Sequence, residues 1–167
     1  MIRPLRAALL AAVVAFSGCL YHFRGGNFPE HVKTLSIDPI LNDTPRLELT
    51  GELQEQLLKN LPRSLGVRPA ASGDADAVVR VRITSYQVVT PNYRPGVTGD
   101  RPEVLQRQVT ITAQVQIVDQ VNREIYWEDT TLRGEGPFLE SETEEVGRTA
   151  AIERLVQRIV DGAQSNW

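Results

Sequence analysis

AVVRVRITSYQVV, residues 77–89, decides the fold. Ala77, Val79, Val81 and Ile83 share one face, and Arg80, Arg82 and Thr84 share the other, which is the period-two pattern of a half-buried strand. Downstream, VTITAQVQIVD at 109–119 repeats the pattern: Val109, Ile111, Ala113, Val115 and Ile117 face inward, Thr110, Thr112, Gln114 and Gln116 outward. The two segments pair most simply as neighbours. Between them PNYRPGVTGDRPE, 91–103, holds three prolines and two glycines and reads as a mobile loop. After a tight turn near Gln120 to Arg123, EIYWEDTTLRG at 124–134 reads as a third strand, broken by Gly134-Glu135-Gly136-Pro137.

Upstream, VKTLSI at 32–37 alternates and reads as the first strand. In LNDTPRLEL, 41–49, Asp43 or Thr44 suits a helix cap with Pro45 in the first helical position, where its missing N–H costs nothing. Leu49, Leu53, Leu57 and Leu61 then form a stripe at i, i+4 spacing, and Pro62 is expected to stop the helix. The last element opens on Ser141-Glu142-Thr143-Glu144, a capping-box pattern. Ile152, Leu155, Val156, Ile159, Val160 and Ala163 follow on one apolar stripe.

The order β-α-β-β-β-α, with one-sided strands and one-sided helices, predicts an α+β, two-layer sandwich. Two helices cover one face of a mainly antiparallel, four-stranded mixed sheet. The first strand lies parallel to a neighbour through a right-handed crossover, and the later strands form a meander. The other face, with Arg80, Arg82, Thr110, Thr112, Gln114 and Gln116, is left for solvent or a partner.

The 167 residues are enough for one domain. A net charge of -3 with well-mixed signs and no basic block excludes a nucleic-acid binder by footprint. The single cysteine excludes an internal disulfide, a CxxC pair and a cysteine-rich zinc site. Its setting gives it another use. Arg3 and Arg6 precede an apolar run from Ala7 to Phe16 that is too short to span a bilayer, the layout of a secretory signal. Phe16-Ser17-Gly18-Cys19 resembles the bacterial lipobox, with Phe16 where leucine is usual. Residues 1–18 are therefore expected to be a lipoprotein signal peptide, 19–28 a lipidated tether with its joint at Gly25-Gly26, and 29–167 the single domain. Two or three acyl chains on Cys19 make membrane residence effectively permanent.

No GxSxG, HExxH, Walker or dinucleotide pattern occurs. His22 and His31 have no second histidine or cysteine at ligand spacing, so no metal or other cofactor is expected. Glu142, Glu144 and Glu145 lie where a helix dipole favours negative charge, and Asp74 and Asp76 lie in a turn. The residues point to binding and not to an enzyme.

Tyr21-x-Phe23-x-Gly25, Pro29-x-His31-x-Lys33-Thr34, Asn42-x-Thr44 and Asp74-Ala75-Asp76-Ala77 together resemble the LPS-assembly lipoprotein family LptE, over essentially the whole mature chain. Leu20 stands where many members have glycine. The resemblance implies a lipoprotein on the periplasmic side of the cell outer membrane. It would be lodged as a plug in the β-barrel translocon that inserts lipopolysaccharide, supporting the barrel's assembly and contacting lipopolysaccharide. A plug presents polar surface to a polar lumen, and the outward sheet face meets that requirement. Lipopolysaccharide is anionic, so Arg80, Arg82, Arg94 and Arg101, on that face and in the 91–103 loop, are the expected contacts. The alternative is a lipid-anchored periplasmic regulator of a peptidoglycan synthase. Such a protein needs a long stalk, and the short tether favours a partner in the same membrane. A lipid-anchored hydrolase would need a nucleophile–base pair that the sequence lacks.

Overall fold

The computed structural model describes residues 28–94 and 103–165. Its elements are β1 (Thr34–Ile37), β2 (Leu41–Asn42), α1 (Glu48–Leu65), β3 (Arg68–Pro69), β4 (Ala77–Arg94), β5 (Glu103–Asp119), β6 (Glu124–Leu139) and α2 (Glu144–Ser165). The sheet runs β3-β1-β4-β5-β6, with β2 also paired to β4. β1 and β2 follow one another along one edge of β4, both parallel to it, through Leu35↔Ala77 and Leu41↔Arg82. β4, β5 and β6 form the expected antiparallel meander. The sheet has six strands where four were expected, because the two-residue β2 and β3 are too short to show a period.

The two helices lie on one face. Leu49, Leu53, Leu57, Leu61 and Leu65 of α1 and Ile152, Leu155, Ile159 and Ala163 of α2 meet Val79, Ile83, Ile111, Val115 and Ile117 in one core. The inward residues of β4 and β5 are those the alternation selects, each at most 3% exposed. A bulge between Ile83 and Ser85 preserves the pattern. The extra residue brings Tyr86 inward opposite Ile111, where strict alternation would have placed Ser85.

Three expectations need correction. β4 extends to Arg94 and β5 begins at Glu103, so the ladder enters both ends of the stretch read as a loop. Interstrand pairing with register shifts near Asn92 accommodates Pro91 there. The helix α1 does not stop at Pro62. It continues to Leu65 with Pro62 buried in its last turn and ends at Gly66, whose φ of 70° is the left-handed conformation that glycine adopts without a Cβ penalty. Its N–H bonds the Arg63 carbonyl, and that of Val67 bonds Pro62.

The third correction concerns Gly134 to Pro137, through which β6 runs unbroken. Here the glycines serve close packing. A Cβ on Gly134 would lie 2.1 Å from the Ala151 carbonyl oxygen, and one on Gly136 would lie 1.8 Å from that of Gly147. α2 thus rests on the strand backbone itself. Pro137 is tolerated because β6 is an edge strand.

Helix starts also differ. Neither Asp43 nor Thr44 caps α1, which begins at Glu48 without a side-chain cap. α2 begins at Glu144, and Glu142 instead accepts a hydrogen bond from the Leu139 N–H, 2.7 Å, closing the β6–α2 turn.

Candidate binding face

Arg80 and Arg82 alternate out of β4 on the face that carries no helix, beside Gln114 and Gln116 of β5 and Glu128 of β6. A shallow groove of about 260 Å³ runs across them, lined by Leu41, Arg80, Arg82, Gln114, Glu128 and Asp129 among others. The strand pairing explains the lining: Arg80 opposes Gln116, which opposes Glu128. The row is tied laterally, Gln116 donating to Glu128 Oε2 at 3.2 Å.

The two arginines are not bare. Arg80 Nε donates to Asp38 Oδ2 at 3.3 Å, and Arg82 Nη1 donates to both carboxylate oxygens of Asp43 at 3.1 and 3.3 Å. Both pairs are wet, with 59% of the Arg80 and 45% of the Arg82 side chain exposed. Such pairs contribute about 0–1 kcal/mol each. A phosphate can therefore compete for either guanidinium at small cost. Asp38 and Asp43 are the functional neighbours that sequence reasoning missed. They sit 42 and 39 positions from their partners, and only the parallel register of β1 and β2 on β4 brings them close.

Arg80 and Arg82 are thus the two of the four expected contacts that the fold brings together. Arg94 ends β4, its backbone paired with Glu103. Arg101 and Cys19 lie outside the described residues. Among the described residues no cluster of three or more histidine, cysteine, aspartate or glutamate side chains could hold a metal. None of the described helices is long and apolar enough to cross a membrane.

The motif residues hold the fold together. Asp76 Oδ2 accepts from the N–H of Lys33 at 2.8 Å, the N–H of Thr34 at 2.9 Å and the Thr34 hydroxyl at 2.9 Å. The Asp76 N–H donates back to that hydroxyl. The Lys33 amide and the Thr34 hydroxyl, both hydrogen bonding to the carboxylate, hold its pKa below the usual aspartate value. Asn42 and Thr44 close an Asx turn, with Thr44 N–H on Asn42 Oδ1 at 2.9 Å and Asn42 Nδ2 on the Arg46 carbonyl at 2.8 Å. The cap expected of Thr44 is replaced by this turn.

His31 meets Asp119, whose side chain is 2% exposed. Asp119 Oδ1 also accepts from the N–H groups of Val121 at 2.8 Å and Asn122 at 3.0 Å. Asn122 Nδ2 donates to Asp119 Oδ2 at 3.1 Å and lies 3.2 Å from His31 Nε2. Burial pushes the Asp119 carboxyl up. The Asn122 amide and the His31 ring outweigh it, and the net shift is downward.

The profile of LptE, Lipopolysaccharide-assembly, matches residues 32–162. The chain belongs to the LptE family. The match runs from before β1 into the last turn of α2 and takes in the Lys33-Thr34/Asp76 and Asn42/Thr44 contacts. No curated protein sequence matches the chain significantly. Among solved structures, a dodecameric PelC variant from Paraburkholderia phytofirmans superposes with a TM-score of 0.52 at 14% identity, covering 83% of this chain and 93% of that one. The hypothetical protein CT253 from Chlamydia trachomatis gives 0.51 at 11% identity, covering 79% and 98%. At these identities the likeness is one of fold. The LptE assignment makes the chain a member of a lipopolysaccharide-assembly family.

Proposed function

We propose that this LptE-family chain is an outer-membrane lipoprotein, acylated at Cys19, that plugs and supports assembly of the β-barrel translocon delivering lipopolysaccharide to the outer leaflet. The family match over residues 32–162 carries the reading. The helix-free sheet face supports it. Its Arg, Gln, Asp and Glu side chains suit the polar lumen of a large barrel, while Ala77, Val79, Val81 and Ile83 of β4 and Val109, Ile111, Ala113, Val115 and Ile117 of β5 pack into the core under the helices.

In this reading Arg80 and Arg82 exchange Asp38 and Asp43 for lipopolysaccharide phosphates, and Arg94 and Arg101 add further positive charge. The planar guanidinium suits a phosphate with two parallel hydrogen bonds. Co-purification of the full-length protein from detergent-extracted outer membrane tests the reading. It should recover the lipopolysaccharide-inserting barrel.

A further inference from the structure

We infer that the β5–β6 turn, with Val121 and Ile125, is a membrane-facing tip that rests against the bilayer holding the acylated Cys19. The inference rests on the reading of Cys19 as the lipid attachment point, and three observations of the described residues carry it to this turn.

The first is exposure. Val121, in a turn that Asp119 ties through two backbone hydrogen bonds, is 57% exposed, and Ile125, the second residue of β6 and paired with Val118, is 54% exposed. The Asp119 carboxylate fixes the turn backbone, and both apolar side chains stand exposed at this end of the sheet. Other exposed apolar residues lie elsewhere: Leu41 in β2, Leu47 just before α1, Leu58 within α1, Val146 in α2, and Val88, Val89 and Leu139 toward the far end of the ladder.

The second is Arg123, which lies between them. Its φ is 59°, the sole positive value at a non-glycine among the described residues. Glycine or asparagine fits that conformation more easily, and strained backbone of this kind clusters at working surfaces. The arginine places a long stem and a cation between two apolar residues, the combination that suits a headgroup boundary. Glu124 beside it offsets its charge, so apolar contact, not charge, is the attraction.

The third is where the chain comes in. The described residues begin at Phe28, whose ring packs edge-on against Tyr126 at 5.1 Å between centroids. His31 is clasped by Asp119 and Asn122 of this same turn. Eight residues separate Cys19 from Phe28, which reach at most roughly 30 Å when fully extended. The acyl chains therefore hold this end of the domain, and not the far end of the β4–β5 ladder, near the lipid surface.

The test uses the full-length protein, purified with its lipid and reconstituted into vesicles of phosphatidylethanolamine with a minority of phosphatidylglycerol. Acylation blocks Cys19, so a cysteine introduced by Val121→Cys, Ile125→Cys or, as control, Gln87→Cys is the one labelled by an environment-sensitive dye. All three positions are exposed. Nitroxide-bearing lipids should quench the dye several times more strongly at positions 121 and 125 than at 87. Equal quenching on protein that floats with the vesicles overturns the inference and leaves the anchor intact. Protein that fails to float, with Cys19 itself labelled in the unsubstituted chain, refutes the anchor and the inference with it.

Discussion

Gly136 of β6 and Gly147 of α2 touch backbone to backbone: a Cβ on Gly136 would lie 1.8 Å from the Gly147 carbonyl oxygen and 2.5 Å from the Ala151 nitrogen. A Cβ on Gly147 would in turn meet Phe138 at 2.5 Å. At these distances the partners are largely main chain, which cannot rotate away. The helix and the strand therefore come as close as they do because neither carries a side chain at the crossing.

Gly136→Ala should accordingly separate α2 from the sheet and cost about 3 kcal/mol by overpacking. Gly51→Ala is the matched control, because a Cβ there meets nothing within 4 Å and alanine is the better helix former. Thermal unfolding followed by circular dichroism should show a large drop in Tm for the first and none for the second. Equal Tm values would remove the close crossing from the account of β6.

This crossing also marks how far the sequence is legible. Gly134-Glu135-Gly136-Pro137 carries the same letters whether the chain turns or lies under a helix, and only the position of α2 separates the two. Pro62 shows the same ambiguity, since the helix end is set four residues later by Gly66. The period-two pattern of β4 and β5 was readable because burial on one face acts on every second residue. The ion pairs of Arg80 and Arg82 were not, because the partners come from segments 42 and 39 residues away. Of the four candidate arginines, those two were correctly placed on one exposed face, but nothing local in the sequence shows that each already has a carboxylate.

The acid limb of stability should follow Asp76 and Asp119. Both have pKa values below their ordinary level. Their contribution is therefore fully present above the unfolded carboxylate pKa, about 3.9, and is lost as pH falls through the lower folded values. Asp119→Asn should cost about 2 kcal/mol at neutral pH and flatten the dependence of unfolding free energy on pH below about 4. Urea titrations across that range measure it. An unchanged acid slope would show that the Asp119 pKa is not lowered on folding.

Arg80→Ala with Arg82→Ala should weaken binding of purified lipopolysaccharide by roughly fivefold, the scale of two exposed charge-assisted contacts. Stability should change by less than about 0.5 kcal/mol, as for surface substitutions generally. Asp38→Asn with Asp43→Asn should act in the opposite direction, releasing both guanidinium groups and tightening binding. Competition of labelled lipopolysaccharide against each variant measures both. No change in either pair would take the helix-free face out of the lipopolysaccharide site.

The central claim is the partner, and recovery of the full-length protein from detergent-extracted outer membrane tests it most directly. The account predicts that the lipopolysaccharide-inserting β-barrel is co-purified in stoichiometric amount. Recovery of a cell-wall synthase with no barrel would contradict it.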